Sequence, residues 1–241
     1  MAAAHAIPGR RPVAEALASA REIHAVLLDR KGGLGTLEGA AQAAGVAVRR
    51  VSRAELDQAS GGVVHQGAVA LAPSFPYVDL RDLAQARLLV VLDGVTDPQN
   101  LGGIARTAEQ AGADGLVLPR RRSAHVTPAV EKASAGALSW LAVAVVANIT
   151  RALATLGQAG IWSVGLDLHG ETSIWDCPLL DGPVAIVVGA EGAGLSRLVT
   201  ERVDARAVIP TRGRVGSLNA GVALALAAFE VVRRAATPRA G

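Results

Sequence analysis

The sequence predicts an α/β chain in two parts, a small α/β unit followed by a doubly wound, parallel-sheet domain. Three observations carry this. Apolar runs of strand length alternate with helical segments along most of the 241 residues. Several runs, such as residues 88–92 and 184–188, are apolar without interruption, the pattern of strands covered on both faces. The alternation is broken once, by Pro73, Ser74, Phe75, Pro76 and Tyr77 followed by a mostly polar stretch at 79–85, which reads as a linker.

In chain order, the first unit opens with a helix over 12–20, Pro12 in its first turn. A strand follows at 23–28, then a helix over 37–44 ended by Gly45, a strand at 46–51, a short helix over 53–59 and a strand at 67–72. The second part begins with the strand at 88–92 and a helix over 100–111 stopped by Gly112. Strands follow at 115–118, 141–146, 161–166, 184–188 and 205–209, with helices over 127–136, 149–158, 195–200 and 217–234. The boundaries are a domain over 1–75, a linker over 76–86, a domain over 87–235 and a frayed tail over 236–241.

Hydrophobic residues make up 51% of the chain and aromatics only 2%, so the core must be Ala, Val, Leu and Ile, and base-stacking sheets are disfavoured. The net charge is +3, and with lysine only at Lys31 and Lys132 the cations are almost all arginine, whose forked guanidinium suits phosphate. The single cysteine, Cys177, excludes an intrachain disulfide and reads as an inert thiol; the five scattered histidines give no metal-ligand spacing, so no metal is expected. No basic segment leads into a long apolar run at the N-terminus, and the most apolar helix, near 220–232, is too short for a bilayer and carries Glu230. A soluble, cytoplasmic protein is expected.

Three turns carry the chemistry. Asp93, Gly94, Asp97, Asn100, Gly103 and Arg106 follow the first strand of the second domain. Gly189, Ala190, Glu191, Gly192 and Gly194 follow the strand at 184–188. Gly213 to Asn219, read as Gly-Arg-Val-Gly-Ser-Leu-Asn, opens the last helix. Each places glycines and polar side chains beyond the carboxyl end of a strand, where open α/β sheets bind ligands. The dinucleotide fingerprint, the P-loop and the Gly-x-Ser-x-Gly elbow are all missing, which removes the usual support for hydride transfer, nucleotide hydrolysis and esterase chemistry.

In this order and spacing, the turns resemble the three motifs of the SpoU (TrmH-like) branch of the SPOUT RNA methyltransferases, over about residues 85–234. Residues 1–75, with Gly9, Pro12 to Leu17 and Val64-His65-Gln66-Gly67, resemble the small L30e-like RNA-binding domain that precedes the catalytic domain in some members. The resemblance implies a deep trefoil knot, a homodimer, an S-adenosylmethionine cofactor and transfer of its methyl group to a ribose 2′-oxygen of RNA, a guanosine of 23S rRNA foremost. Methylation of tRNA, or of rRNA as antibiotic resistance, and a non-catalytic ribosome-assembly role are the alternatives.

The resemblance assigns the catalytic centre to Asn100, Arg106, Glu191, Ser217 and Asn219, and cofactor contacts to Gly165, Gly189, Gly192, Ile209 and Leu218. Each has a plainer reading beside it. Arg106 could be a surface cation, Asn100 and Ser217 helix N-caps, and Glu191 a carboxylate stabilised near a helix start. Arg10, Arg11, Arg120, Arg121 and Arg122, with Arg49, Arg50 and Arg53, form a candidate RNA backbone track, or solvated loops. His65 and Gln66 read as structural.

Overall fold

The computed structural model describes residues 5–213 and 216–236. Its elements run β1 (His5–Pro8), α1 (Arg10–Ala18), β2 (Ala25–Asp29), α2 (Gly35–Ala43), β3 (Ala47–Val51), α3 (Arg53–Ala59), β4 (Ala68–Ala72), β5 (Leu88–Asp93), α4 (Pro98–Gln110), β6 (Gly115–Pro119), α5 (Pro128–Ala133), β7 (Ala142–Val146), α6 (Ile149–Gln158), β8 (Trp162–Leu166), β9 (Thr172–Ser173), β10 (Val184–Gly189), α7 (Arg197–Thr200), β11 (Ala205–Val208) and α8 (Ala220–Ala236). Single 3₁₀ turns sit at Leu80–Leu83, Ala137–Ser139 and Pro178–Asp181. The chain divides into two compact units. One holds Met1–Pro76, Leu101–Arg106 and His125–Trp140; the other holds Tyr77–Asn100, Thr107–Ala124 and Leu141–Gly241.

The first unit is built on a sheet of order β1-β4-β2-β3, in which only β2 and β3 run parallel. Ile7, Val13, Val26, Leu28, Leu37 and Ala70 form its core. The edge strand β1 is absent from the sequence reading, because His5–Pro8 is too short to show a period and is extended only by pairing with β4, Ile7 opposite Ala70. Helix α1 starts at Arg10 rather than Pro12, so the proline still falls among the first turn's unbonded N–H positions. The helix expected over 127–136 stops at Ala133, since Ala135 and Gly136 take left-handed backbone at φ 53° and 100°. On α5, Glu131 is 0% exposed. Its Oε1 lies 2.6 Å from Arg21 Nη2 and 2.9 Å from His5 Nε2. The Arg21 guanidinium also lies 5.1 Å from the Phe75 ring centroid. Burying a carboxylate this deeply is costly, and such cationic partners offset part of its desolvation.

The second unit is a seven-stranded, wholly parallel sheet of order β7-β6-β5-β10-β8-β11-β9. Leu89, Val91, Val117, Ala185 and Val187 pack under α6 and α7 through Leu153, Leu156 and Val199. The alternate residues Val90, Leu92, Ile186 and Val188 are buried as well, and α8 packs along β10. Burial on both faces explains the uninterrupted apolar runs. The stretch read as a linker is structured: Asp79 caps the 3₁₀ turn Leu80–Leu83, Val78 N–H donates to Val143 O at 2.9 Å, and Leu83 enters the core. Ala235 and Ala236, assigned to the end of the second domain and the tail, belong to α8; residues 237–241 lie outside the described residues. Among the described residues no helix is long and apolar enough to cross a membrane, and no group of three or more His, Cys, Asp or Glu could hold a metal ion.

Candidate active site

Register brings the first two turns together. Parallel pairing of β5 with β10 sets Asp93 opposite Gly189, so both strands end at one level. Asp93 Oδ2 then accepts the Ser196 N–H at 2.7 Å, tying the turn after β5 to the start of α7. Ala190 and Gly194 exchange backbone hydrogen bonds of 3.0 and 2.9 Å and close a tight loop over Glu191 and Gly192. Gly189 must be glycine, because a Cβ there would stand 2.1 Å from the Gly194 carbonyl carbon. Gly192 has φ 75°, a left-handed conformation that L side chains resist.

Neither of the plainer readings as helix caps holds. Asn100 is not the N-cap of α4; Asp97 is, its carboxylate accepting from Gln99 N and Asn100 N at 3.2 Å each, with Pro98 next. The last helix begins at Ala220, not at Ser217, and Asn219 caps it: Oδ1 accepts from Gly221 N at 2.9 Å and Val222 N at 3.4 Å. The Asp97-Pro98 pair was a legible cap signal. The consequence is that the Asn100 amide is available to the site. Asn219 Nδ2 donates to Asn100 Oδ1 at 3.2 Å and to Glu191 Oε1. One amide thus joins all three turns.

Beside this cluster lies a cavity of about 530 Å³, lined among others by Leu166, Asp167, Glu191, Ile209, Ser217 and Leu218. Gly189 and Gly192 also line it. Gly165 does not; it sits on β8 where a Cβ would strike Leu195 Cδ1 at 2.6 Å, which gives it a packing role. Asp167, His169 and Thr211 line the cavity too and carried no signal in the sequence, lying outside the three turns. Of the third turn, Arg214 and Val215 lie outside the described residues.

Arg106 is exposed on α4, six residues beyond Asn100, and makes no side-chain hydrogen bond or ion pair among the described residues. Among the arginines of the proposed RNA track, Arg10 Nε donates to Gln66 O at 3.0 Å and Arg11 stands 3.8 Å from Glu15, both in the first unit. Arg120, Arg121 and Arg122 are exposed after β6 in the second unit.

A family model described as SpoU rRNA Methylase family matches residues 87–229, and one described as RNA 2′-O ribose methyltransferase substrate binding matches residues 6–78. The chain is 38% identical over 242 residues, 94% of each chain, to the putative TrmH family tRNA/rRNA methyltransferase YacO of Bacillus subtilis. Among solved structures it is similar to the SpoU methyltransferase AviRb of Streptomyces viridochromogenes in complex with AdoMet, at 25% identity and TM-score 0.83 over 99% of this chain and 92% of that one. It is likewise similar to an AdoMet-bound rRNA methyltransferase of Sinorhizobium meliloti, at 27% identity and TM-score 0.80 over 98% and 89%.

The cavity fits S-adenosylmethionine, the cofactor of this family. Its volume lies within the range of about 300–1,000 Å³ typical of small-molecule sites. Leu166, Ile209 and Leu218 offer apolar walls, and Asp167 and Glu191 bring carboxylates to a ligand that carries positive charge. With both family models in chain order and the three turns joined through Asn219, the chain belongs to the SpoU family of RNA 2′-O-ribose methyltransferases.

Proposed function

We propose that the chain methylates the ribose 2′-oxygen of a guanosine in 23S rRNA, with Asn100, Arg106, Glu191, Ser217 and Asn219 as its catalytic group. The observation that supports this catalytic group is the Asn219 amide, which binds Asn100 and Glu191 together beside the cofactor cavity. S-adenosylmethionine, held by Leu166, Gly189, Gly192, Ile209 and Leu218, supplies an electrophilic methyl group when bound. The protein's part is to align the ribose oxygen with that methyl group and exclude water. Glu191 fixes Asn219, and Asn219 in turn orients Asn100, so the polar face meeting the ribose is set before substrate arrives. Arg106 contacts a substrate phosphate and stabilises the developing alkoxide; a guanidinium stays protonated and is a poor base.

The test is tritium-labelled methyl transfer to rRNA followed by nuclease mapping. Label at one 2′-O-methylated guanosine of 23S rRNA is expected, and no ribose methylation on rRNA overturns the assignment. Label in tRNA instead would favour the second reading, which draws on the name tRNA/rRNA methyltransferase carried by the Bacillus subtilis relative.

The working form is a homodimer in the cytoplasm. Val222, Leu226, Phe229 and Val232 are exposed at positions i, i+4, i+7 and i+10 of α8, an apolar stripe suited to a second copy of the same helix. Light scattering should report a dimer for the native chain and a monomer for Phe229→Glu. A knotted C-terminal segment is part of the same proposal. It is supported by β10 lying between β5 and β8, ahead of its place in chain order, with α8 returning to pack on β10.

A further inference from the structure

The wall of the cofactor cavity holds a carboxylate that the proposed catalytic group does not use. Asp167 stands directly after β8, at the carboxyl end of the strand, and lines the cavity. The fold fixes its place. Its N–H donates to Ala207 O on β11 at 3.0 Å, and its Oδ1 accepts the His169 N–H at 2.9 Å. Gly170 N–H closes the turn on Asp167 O at 3.1 Å. No side chain fits at Gly170, where a Cβ would stand 2.6 Å from Val208 N.

Charge around Asp167 is not balanced. Arg206 Nη1 lies 3.6 Å from Asp167 Oδ2, but Arg206 Nη2 makes its close hydrogen bond to Glu171. That bond to Glu171 is also the leading cause holding the Arg206 guanidinium above its ordinary pKa; Asp167 contributes less. Two carboxylates thus share one guanidinium, and the trio keeps one net negative charge. Glu191, the other carboxylate on the wall, takes a neutral donor, the Asn219 amide, and has no cation partner among the described residues. No Lys or Arg is among the described residues lining the cavity. Glu191 is exposed, whereas the Asp167 side chain is only 17% exposed. Water screens the first more than the second, so Asp167 acts more strongly on a charged ligand.

We propose that Asp167 is a specificity-determining residue that makes the cavity prefer the cationic cofactor over the spent one. S-adenosylmethionine carries a sulfonium, an ammonium and a carboxylate, which leaves one net positive charge. S-adenosylhomocysteine, left once the methyl group is on the ribose oxygen, has an uncharged sulfur and no net charge. The two differ in one methyl group and one charge, and a fixed carboxylate responds to the charge. The consequence for turnover is weak product inhibition, because spent cofactor is held less tightly than its replacement. The inference rests on the cavity being the cofactor site of the proposed reaction.

The test is calorimetric titration of the full chain with three ligands: S-adenosylmethionine, S-adenosylhomocysteine, and an analogue with an ammonium-bearing carbon in place of the sulfonium. The analogue keeps the charge without the transferable methyl group. The native chain should bind both cationic ligands about tenfold more tightly than S-adenosylhomocysteine. Asp167→Asn keeps an oxygen to accept the His169 N–H and removes the charge. It should weaken both cationic ligands about fivefold and leave S-adenosylhomocysteine within about twofold of native. Arg206→Gln removes the shared cation and should widen the preference about two- to threefold. Thermal melting checks that each variant is folded. Equal native affinity for all three ligands would overturn the inference while leaving the cavity as the cofactor site. So would an Asp167→Asn variant that weakens all three together, the mark of a merely structural role. A native chain that binds none of them would sink the cofactor-cavity reading as well.

Discussion

Asn219 serves two functions with one side chain. Its oxygen caps α8 and its nitrogen holds Asn100 and Glu191. Substitutions can separate the two. Asn219→Ala should cost about 1 kcal/mol of stability through the lost cap and should also collapse methyl transfer. Asn219→Asp keeps a capping oxygen but replaces the donor with a carboxylate facing Glu191. It should therefore melt nearer the native temperature than the alanine variant yet remain inactive. Recovery of both properties together would show that the amide nitrogen is dispensable. Arg106 makes no described side-chain bond, so Arg106→Ala should lower kcat by at least about a hundredfold with melting temperature and S-adenosylmethionine affinity unchanged. Near-native turnover would return Arg106 to the role of a surface cation. Asn100, Glu191 and Asn219 were recognisable from the sequence by motif spacing, and Asp97 before Pro98 was a legible cap; that Asn219 caps α8 was not, because cap position depends on where the backbone actually turns.

At the scale of elements, the loop after β10 and the end of α8 make opposite demands. The loop tolerates no side chain at Gly189. Gly189→Ala pushes a methyl group into the Gly194 backbone, at a cost of about 1–3 kcal/mol. Calorimetry should find cofactor binding weakened with it; native affinity would show that the loop can open without loss. The end of α8 is held by charge. Hydrogen bonds from Arg233 lead in lowering the Glu230 carboxyl from 4.5 to about 2; burial opposes the shift and Arg234 adds to it. Arg234 also donates to the carbonyls of Cys177 and Trp175, at 2.8 and 2.6 Å, anchoring α8 to the 3₁₀ turn Pro178–Asp181 and the residues before it. A depressed folded-state value means Glu230 contributes its full stability above pH 4.5 and loses it as the pH falls from 4.5 towards 2. Urea midpoints should drop through that window, and less so in Glu230→Gln. An equal drop in both would place the acid sensitivity elsewhere.

For the molecule as a whole, the buried Glu131 matters most in the first unit. It lies on α5, some 55 residues beyond the first-domain boundary drawn from the sequence, yet its partners Arg21 and His5 belong to that domain. Glu131→Ala would leave Arg21 buried without its carboxylate, a loss of about 3–5 kcal/mol. Urea unfolding should show that loss, and a change under about 1 kcal/mol would mean water reaches Arg21. Pattern reading placed the break between domains at one point in the chain. The compact units instead interleave, because residues 101–106 and 125–140 pack with the first 76.

The sequence by itself determined the α/β class, nearly every strand and helix of the second unit, and the three turns from which the site is made. Local periodicity, glycine and apolar runs are properties of short stretches, and they are written residue by residue. Tertiary structure alone decided the edge strand β1, the two-residue strand β9, the order in which β10 enters between β5 and β8, and the partnership of Glu131 with Arg21. It also decided that Asn219 spans Asn100 and Glu191. Each of these depends on register or packing between residues far apart in the chain, and pairing energies of that kind leave no trace in local composition.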